Sequence, residues 1–549
     1  MEKNKAEKAK KKFAFSLIKN NLSRILIMFV SFLIMLIIAL FDVASSEFVM
    51  SFKISEYEVG QIADKTIVAE KNLPSTLENP ISIAKGEKIT RKGFPITQLD
   101  FEKMKKMVET PEYIDFRSYA NSILFFFMLL GLSSFMFSEF LLKRKLKISE
   151  LIFIAVLFVI CYGATVFGTK LLFFEESFNI PAVVPSIFCV MFVALLVGKN
   201  VAVSFAFLLS IAILNATSFD IASSLVILCT SLISSRIVVK LEKRMDFIWT
   251  AMLMALLNVV LSMVFLVIFN SESSVTVSGI FALALNGFVS GVLVLGFLTP
   301  FELMMNTATV FRLLDLSDTN TPILQRLLLE ASGTYNHSMM VATLAESACR
   351  EIGANALLAR VGAIYHDIGK VEQPEYFTEN NSTGENKHID LNPNLSISII
   401  RQHVKKGVEK ATQMRFPREV IDIIAEHHGN DIIHYFYNKA KEQNENVIER
   451  DFSYLGNPPS SREAAVVMLA DTVEAACHSL ENPTSTRIKK FVHQLIFTKL
   501  ESGQLDKCSL TFKDLATIEK NFVTILTGYY HKRIKYQNQE IEQDESEQK

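Results

Sequence analysis

The apolar positions fall into two regimes along the chain. Up to about residue 300 they form continuous runs, at 25–41, 119–141, 150–168, 180–198, 200–217, 220–239, 246–269 and 278–300. Most approach the ~20 residues that a helix needs to cross a bilayer's hydrocarbon. The pattern therefore predicts one anchor helix followed by seven further spans. Beyond Thr299 the apolar residues instead recur at helical spacing between charged ones, as in "ALLARVGAIYHDIGK", "PREVIDIIAEHHG" and "SREAAVVMLADTVEAA". That periodicity predicts an all-helical soluble domain. Between the first two runs, residues 45–117 are polar, with the strand-like stretch "KTIVAEKNL" and a closing amphipathic "ITQLDFEKMKKMVE". This is a small mixed segment, too short for a large ligand-binding domain. The fold class expected is all-α, a polytopic membrane domain followed by a helical soluble one.

The segments between runs give the orientation. Alternate loops, "KRKLK" at 143–147, 198–200 and "RIVVKLEKR" at 236–244, are basic, whereas "FFEESFN", "NATSFD" and "NSESSVT" are poor in Lys and Arg. By the positive-inside bias both termini lie in the cytoplasm and residues 45–117 outside it. The first run is followed by "DVASS", which fits a signal-peptidase site, but its length and its Lys-rich leader favour an uncleaved anchor. A helix leaving the membrane stops near "SDTNTP", and a new one opens at Pro322. The divisions expected are a basic N-terminus (1–24), an anchor (25–44), an extracytoplasmic segment (45–117), seven spans (118–303), a linker helix (304–332), a helical domain (333–536) and an acidic tail (537–549).

Composition narrows the chemistry. Half of the 549 residues are hydrophobic, and 56 basic side chains nearly balance 57 acidic ones, so neither tail reads as a nucleic-acid arm. The six cysteines are scattered with no CxxC pair, which speaks against a disulfide framework and a thiolate zinc site. Charged residues avoid the span centres, Glu139 and Asp220 lying near ends, which disfavours transport. Pro185, Asn258 and Asn286 read as a kink and interhelical hydrogen bonds.

All ten histidines lie at or after residue 337. His337, His366, His403, His427 and His428 sit on or beside expected helices, and Asp367 and Asp471 occupy similar apolar settings. Neighbouring helical residues point about 100° apart, so the pairs His366–Asp367 and His427–His428 share a cavity only if it is wide or holds two centres. Imidazole and carboxylate without thiolate suit manganese, iron or zinc, and a carboxylate such as Asp367 can bridge two ions. Lys370 falls one helical turn after this pair, where a cation can hold a phosphate oxygen, and Gly369 leaves room for a substrate's approach.

In this order, His337, "HD" at 366–367, His403, "HH" at 427–428 and Asp471 within "LADTVEAA" resemble the HD-domain metal phosphohydrolases of the two-metal branch. The surrounding "GTYNHSMMVA", "IIRQHVKKGVEKA", "AEHHGNDIIHYFYNKA" and "SGQLDKCSLTFKDL" are similar to the seven-transmembrane HD family, whose best-known members are PgpH-type phosphodiesterases that open cyclic di-AMP. The resemblance implies one divalent ion, manganese or iron, on His337, His366 and Asp471, a second on His403, His427 and His428, and Asp367 bridging them. It implies in-line attack on the phosphodiester and the linear product pApA, with Lys370 at the phosphate. A membrane enzyme lowering cytoplasmic cyclic di-AMP in response to a membrane or extracytoplasmic signal is the expectation. Its partners would be that nucleotide and the lipid bilayer, with no nucleic-acid polymer; a homodimer is compatible with the layout. The alternatives are action on another ester, such as cyclic di-GMP or a linear dinucleotide, or a non-catalytic nucleotide receptor. Asn336, Ser332, Asn381 and His478 depart from the family's usual residues, and the outer segment is shorter than the family's.

Overall fold

The structure is a computed structural model. It describes residues 22–530 apart from 42–43, 46–53, 55–56, 70–71, 76–79, 110–112, 115, 169–179, 218, 242, 270–275, 382–386, 390, 444–446 and 481–482. The expected basic N-terminus up to residue 21, the acidic tail and the loops "FFEESFN" and "NSESSV" lie outside these residues. The chain divides into two compact units, Met1–Phe301 and Glu302–Lys549.

In the first unit, seven helices among the described residues are long and apolar enough to cross a membrane. They are α1 (Leu22–Phe41), α3 (Phe116–Met136), α4 (Ile148–Gly168), α7 (Lys199–Ala216), α8 (Ile221–Ile237, running on in a 3-10 turn), α9 (Asp246–Ile268) and α10 (Val277–Met305). The fourth expected span, 180–198, is not one helix but two, α5 (Ile180–Val183) and α6 (Ser186–Leu196). Pro185, which has no N–H to donate, stands at the break. Asn286 of α10 donates to the freed carbonyls of Ala182 and Val184 at 2.9 and 3.2 Å, which compensates the break where water is absent. Asn258 of α9 likewise donates to Leu283 O at 2.9 Å.

The outer segment has its own core. Strands β1 (Ile67–Val68) and β2 (Lys88–Thr90) pair antiparallel, and α2 (Gln98–Glu109) covers them, burying Ile67, Ile89, Ile96 and Met104. A second pairing, Ala44–Ser45 with Tyr113–Ile114, draws the segment's two ends together.

The second unit is helical. Within 304–332, after Asn306 (φ 51°), the chain forms α11 (Val310–Leu316), turns, and restarts at Pro322 as α12 (Pro322–Glu330), the stop and the new start lying where the sequence places them. Leu313, Leu324 and Leu327 are fully buried in the unit's core, so these helices belong to the domain rather than bridging towards it. Around that core pack α13 (Ser332–Glu351), α14 (Ala356–Tyr365), α15 (Pro393–Gln413), α16 (Arg418–Glu426), α17 (Arg462–His478), α18 (Ser485–Glu501) and α19 (Phe512–Tyr530).

Candidate metal centre

Five helices deliver the seven expected side chains to one place. His337 comes from α13, His403 from α15 and Asp471 from α17. His366 and Asp367 do not lie inside a helix: α14 ends at Tyr365, and the chain tightens into a 3-10 turn at Ile368–Glu372. His427 and His428 follow the end of α16 in the same way, and Gly429 (φ 54°) turns the chain out. Ending a helix at each pair frees both side chains from the 100° spacing and lets them face a common cavity.

Asp367 is at the middle. Its Oδ2 lies 3.1 Å from His366 Nε2 and 3.9 Å from His337 Nε2, while its Oδ1 lies 3.3 Å from His403 Nε2 and 3.8 Å from His427 Nε2. Each carboxylate oxygen thus faces its own pair of imidazoles. Asp471 also spans the site, with Oδ1 3.0 Å from His337 Nε2 and Oδ2 3.5 Å from His428 Nδ1. Among the described residues, two groups have ligand atoms close enough to hold an ion: His337, His366 and Asp367, and then Asp367, His403, His427 and His428.

The donor set fits divalent ions on the observations of this structure. His366 Nε2 and Asp367 Oδ1 are buried and make no hydrogen bond, an expensive arrangement unless something else occupies them. The opposite ring nitrogens are tied down: Nδ1–H of His366 donates to Ala363 O at 2.7 Å, that of His427 to Ile424 O at 2.8 Å, and that of His403 to Ile400 O. A carbonyl only accepts, so each tie leaves Nε2 facing the site. His337 is held instead by the carboxylate of Glu474.

The charges respond accordingly. Burial disfavours the imidazoliums, but for His337 the hydrogen bonds to Asp471 and Glu474 outweigh it and hold the ring at about 9. Burial is likewise outweighed at His366 by Asp367 and Asp471, which hold it at about 10. Burial prevails on the other side, pushing His403 down to about 4 and His427 to about 3. Asp367 and Asp471 stay well below the usual carboxylate range: burial opposes, but His366 and Lys370 outweigh it at Asp367, as His337 and His366 do at Asp471.

Lys370 Nζ lies 2.8 Å from both Asp367 Oδ2 and Glu379 Oε1. One expectation about this turn needs revision. Gly369 does not leave room for a substrate, because a Cβ there would lie 1.9 Å from His403 O and 2.7 Å from Gly407 N; α15 fills that space. Three residues escaped the sequence reading. Glu474 was within reach of it, one helical turn after Asp471 and so on the same face. Glu379, on a single 3-10 turn (Thr378–Asn380), and the loop residue Tyr454, whose ring stacks on His428 at 4.2 Å, carry no local signal.

Beside His428 and Tyr454 opens a cavity of about 820 Å³, within the usual range of ligand clefts. Arg401, Lys405 and Arg450 contribute to its lining.

Comparison with known proteins agrees with this layout. A family model described as a 7TM receptor with intracellular HD hydrolase matches residues 116–309, and one for the HD domain matches 334–476. The cyclic-di-AMP phosphodiesterase PgpH of Bacillus subtilis is 43% identical over 299 residues, 54% of this chain and 42% of the relative. The protein of the same name from Listeria monocytogenes is 32% identical over 470 residues, 83% of this chain and 64% of the relative. The chain thus spans less than two thirds of the length of these curated relatives. The solved HD domain of the Listeria protein in complex with cyclic-di-AMP is 42% identical, covers 39% of this chain and 100% of its own, and superposes with a TM-score of 0.38. With the two domain matches in order, and seven membrane-length helices among the described residues preceding a two-group histidine–aspartate centre, the chain is a multi-pass membrane protein that belongs to the family described as 7TM receptor with intracellular HD hydrolase.

Proposed function

We propose that the protein is a two-metal phosphodiesterase that hydrolyses cyclic di-AMP to pApA at the cytoplasmic face of a bacterial inner membrane. The observation that carries the chemistry is Asp367, whose two oxygens face separate imidazole pairs. The substrate assignment rests on the relatives named for cyclic di-AMP. On this reading His337, His366 and Asp471 would hold one manganese or iron ion and His403, His427 and His428 the other, with Asp367 serving both. Ions bound there supply Lewis acidity to a phosphoryl oxygen and make water a competent nucleophile near neutral pH.

The chain's own residues do the rest. Asp367 keeps its negative charge because His366 and Lys370 stabilise it, so it needs no deprotonation when the site is loaded. Glu474 orients His337, and the three backbone ties orient His366, His403 and His427. Lys370 sits over Asp367 with Glu379 as its second partner, where its ammonium meets a phosphate oxygen entering the site. The cavity beside Tyr454 takes the remainder of the dinucleotide, with Arg401, Lys405 and Arg450 supplying positive potential for an anionic substrate. On this reading the hydrolysis answers to a membrane or extracytoplasmic signal received by the membrane domain or the outer segment.

The test uses the full chain in detergent, loaded with Mn²⁺ or Fe²⁺ and given cyclic di-AMP, cyclic di-GMP and pApA in parallel, with Asp367→Asn as control. Conversion of cyclic di-AMP to pApA, lost in the variant, is the expected result. Faster turnover of cyclic di-GMP or of pApA overturns the substrate assignment. Binding of cyclic di-AMP without turnover under either metal overturns the enzyme reading.

A further inference from the structure

The geometry points to Arg312 as a positioning residue that sets the His403, His427 and His428 half of the centre, from a helix that touches neither metal group. The inference rests on the proposed reading that those histidines hold an ion.

Arg312 lies on α11 and is buried, as is Glu302 at the end of α10. A buried guanidinium persists only where its donors are satisfied, so its partners report what it is built to hold. One arm, Nη1, donates to Glu302 O at 3.1 Å and to Asn306 Oδ1 at 3.4 Å. The other, Nη2, donates to the carbonyl of Arg415. Thr309, which caps α11 by accepting from Arg312 N at 3.2 Å, also donates to the Glu302 carboxylate.

Arg415 lies in the turn joining α15 to α16, with its backbone in the sparsely populated left-handed region (φ 55°). Those two helices carry His403 and end at His427 and His428. A hydrogen bond at their turn therefore bears on both of these helices, whereas His337 and Asp471 lie on other elements. The next residue, Phe416, packs edge-on against Tyr365 at 4.7 Å, and the Tyr365 hydroxyl donates to Leu316 O at 2.9 Å. Tyr365 directly precedes His366. The seven-residue α11 thus touches the α15–α16 turn at its start and the HD-bearing helix at its end, and Arg312 ties that turn to Glu302 and Asn306 of the same unit.

The test is Mn²⁺ titration of the metal-free full chain in detergent, with free Mn²⁺ followed by EPR, for the native protein, Arg312→Ala and Arg312→Lys. The native chain should take up two ions. In Arg312→Ala the affinity for one ion should weaken about tenfold, the scale for losing support behind a ligand, while the other is held within twofold. On cyclic di-AMP kcat should fall with KM little changed. Arg312→Lys keeps the charge without the two-armed fork, so it should fall between and carries the test if the alanine variant does not fold. Two equally weakened ions would mean general destabilisation, and native-like binding of both by a folded variant would mean no positioning; either result overturns the inference. A native chain that binds no Mn²⁺ sinks the metal reading itself, which separates that failure from this one.

Discussion

At the scale of single residues, protons compete for the ring nitrogens that the proposed ions would use. His337 and His366 are held at about 9 and about 10, above the ordinary 6.5, and a metal binds only the neutral ring. Below those values a proton competes with the ion, so the affinity of that half should rise with pH between 6 and 9, by about tenfold per unit for each proton released. His403 and His427, at about 4 and about 3, are already neutral there, and their half should change little. Mn²⁺ calorimetry in buffers of different ionisation enthalpy counts the released protons; a pH-independent affinity at both sites would contradict this. Glu474→Gln keeps the hydrogen bond to His337 but removes its charge, and should weaken metal binding on that half by about 10-fold, within the range for outer partners of a ligand. Equilibrium dialysis checks it. Glu474 was legible as a neighbour on the face of Asp471, whereas Tyr454 and Glu379 were not, since no periodicity connects a loop or a single turn to a histidine distant in sequence.

At the scale of elements, the histidine pairs depend on helix ends. The expected helices were legible from their apolar spacing, but not where they stop, because a stop at Tyr365 reflects how closely α15 packs on the next turn. Gly369 is the contact: a methyl group there would collide with His403 O. Gly369→Ala should therefore destabilise the domain by about 1–3 kcal/mol and lower metal affinity as α15 is pushed away, with circular dichroism melting as the readout. In the membrane domain, the break at Pro185 was legible as a kink, and the partner that satisfies it was not. Asn286→Leu removes the amide that serves Ala182 and Val184 and should cost about 0.6 kcal/mol, up to about 1.7, in thermal stability in detergent.

At the scale of the whole molecule, the distribution of Lys and Arg between loops predicts that the N-terminus and the HD domain share the cytoplasmic side. In inside-out vesicles, protease should reach sites in 302–530 while those in 57–109 stay protected; the reverse pattern overturns the orientation. What the sequence by itself determined is what local chemistry determines. Continuous apolar runs specify membrane helices because hydrocarbon demands internally satisfied backbone, and a run of histidines without thiolates specifies the donor type. Only the tertiary structure decided that Asp367 shows one oxygen to each imidazole pair, that Lys370 is engaged with two carboxylates and that Gly369 is a packing contact. The reason is physical: these follow from five helix segments, spread over more than a hundred residues, meeting at distances of a few ångströms. Such distances are set by close packing of side chains far apart in the chain, on which local propensity is silent.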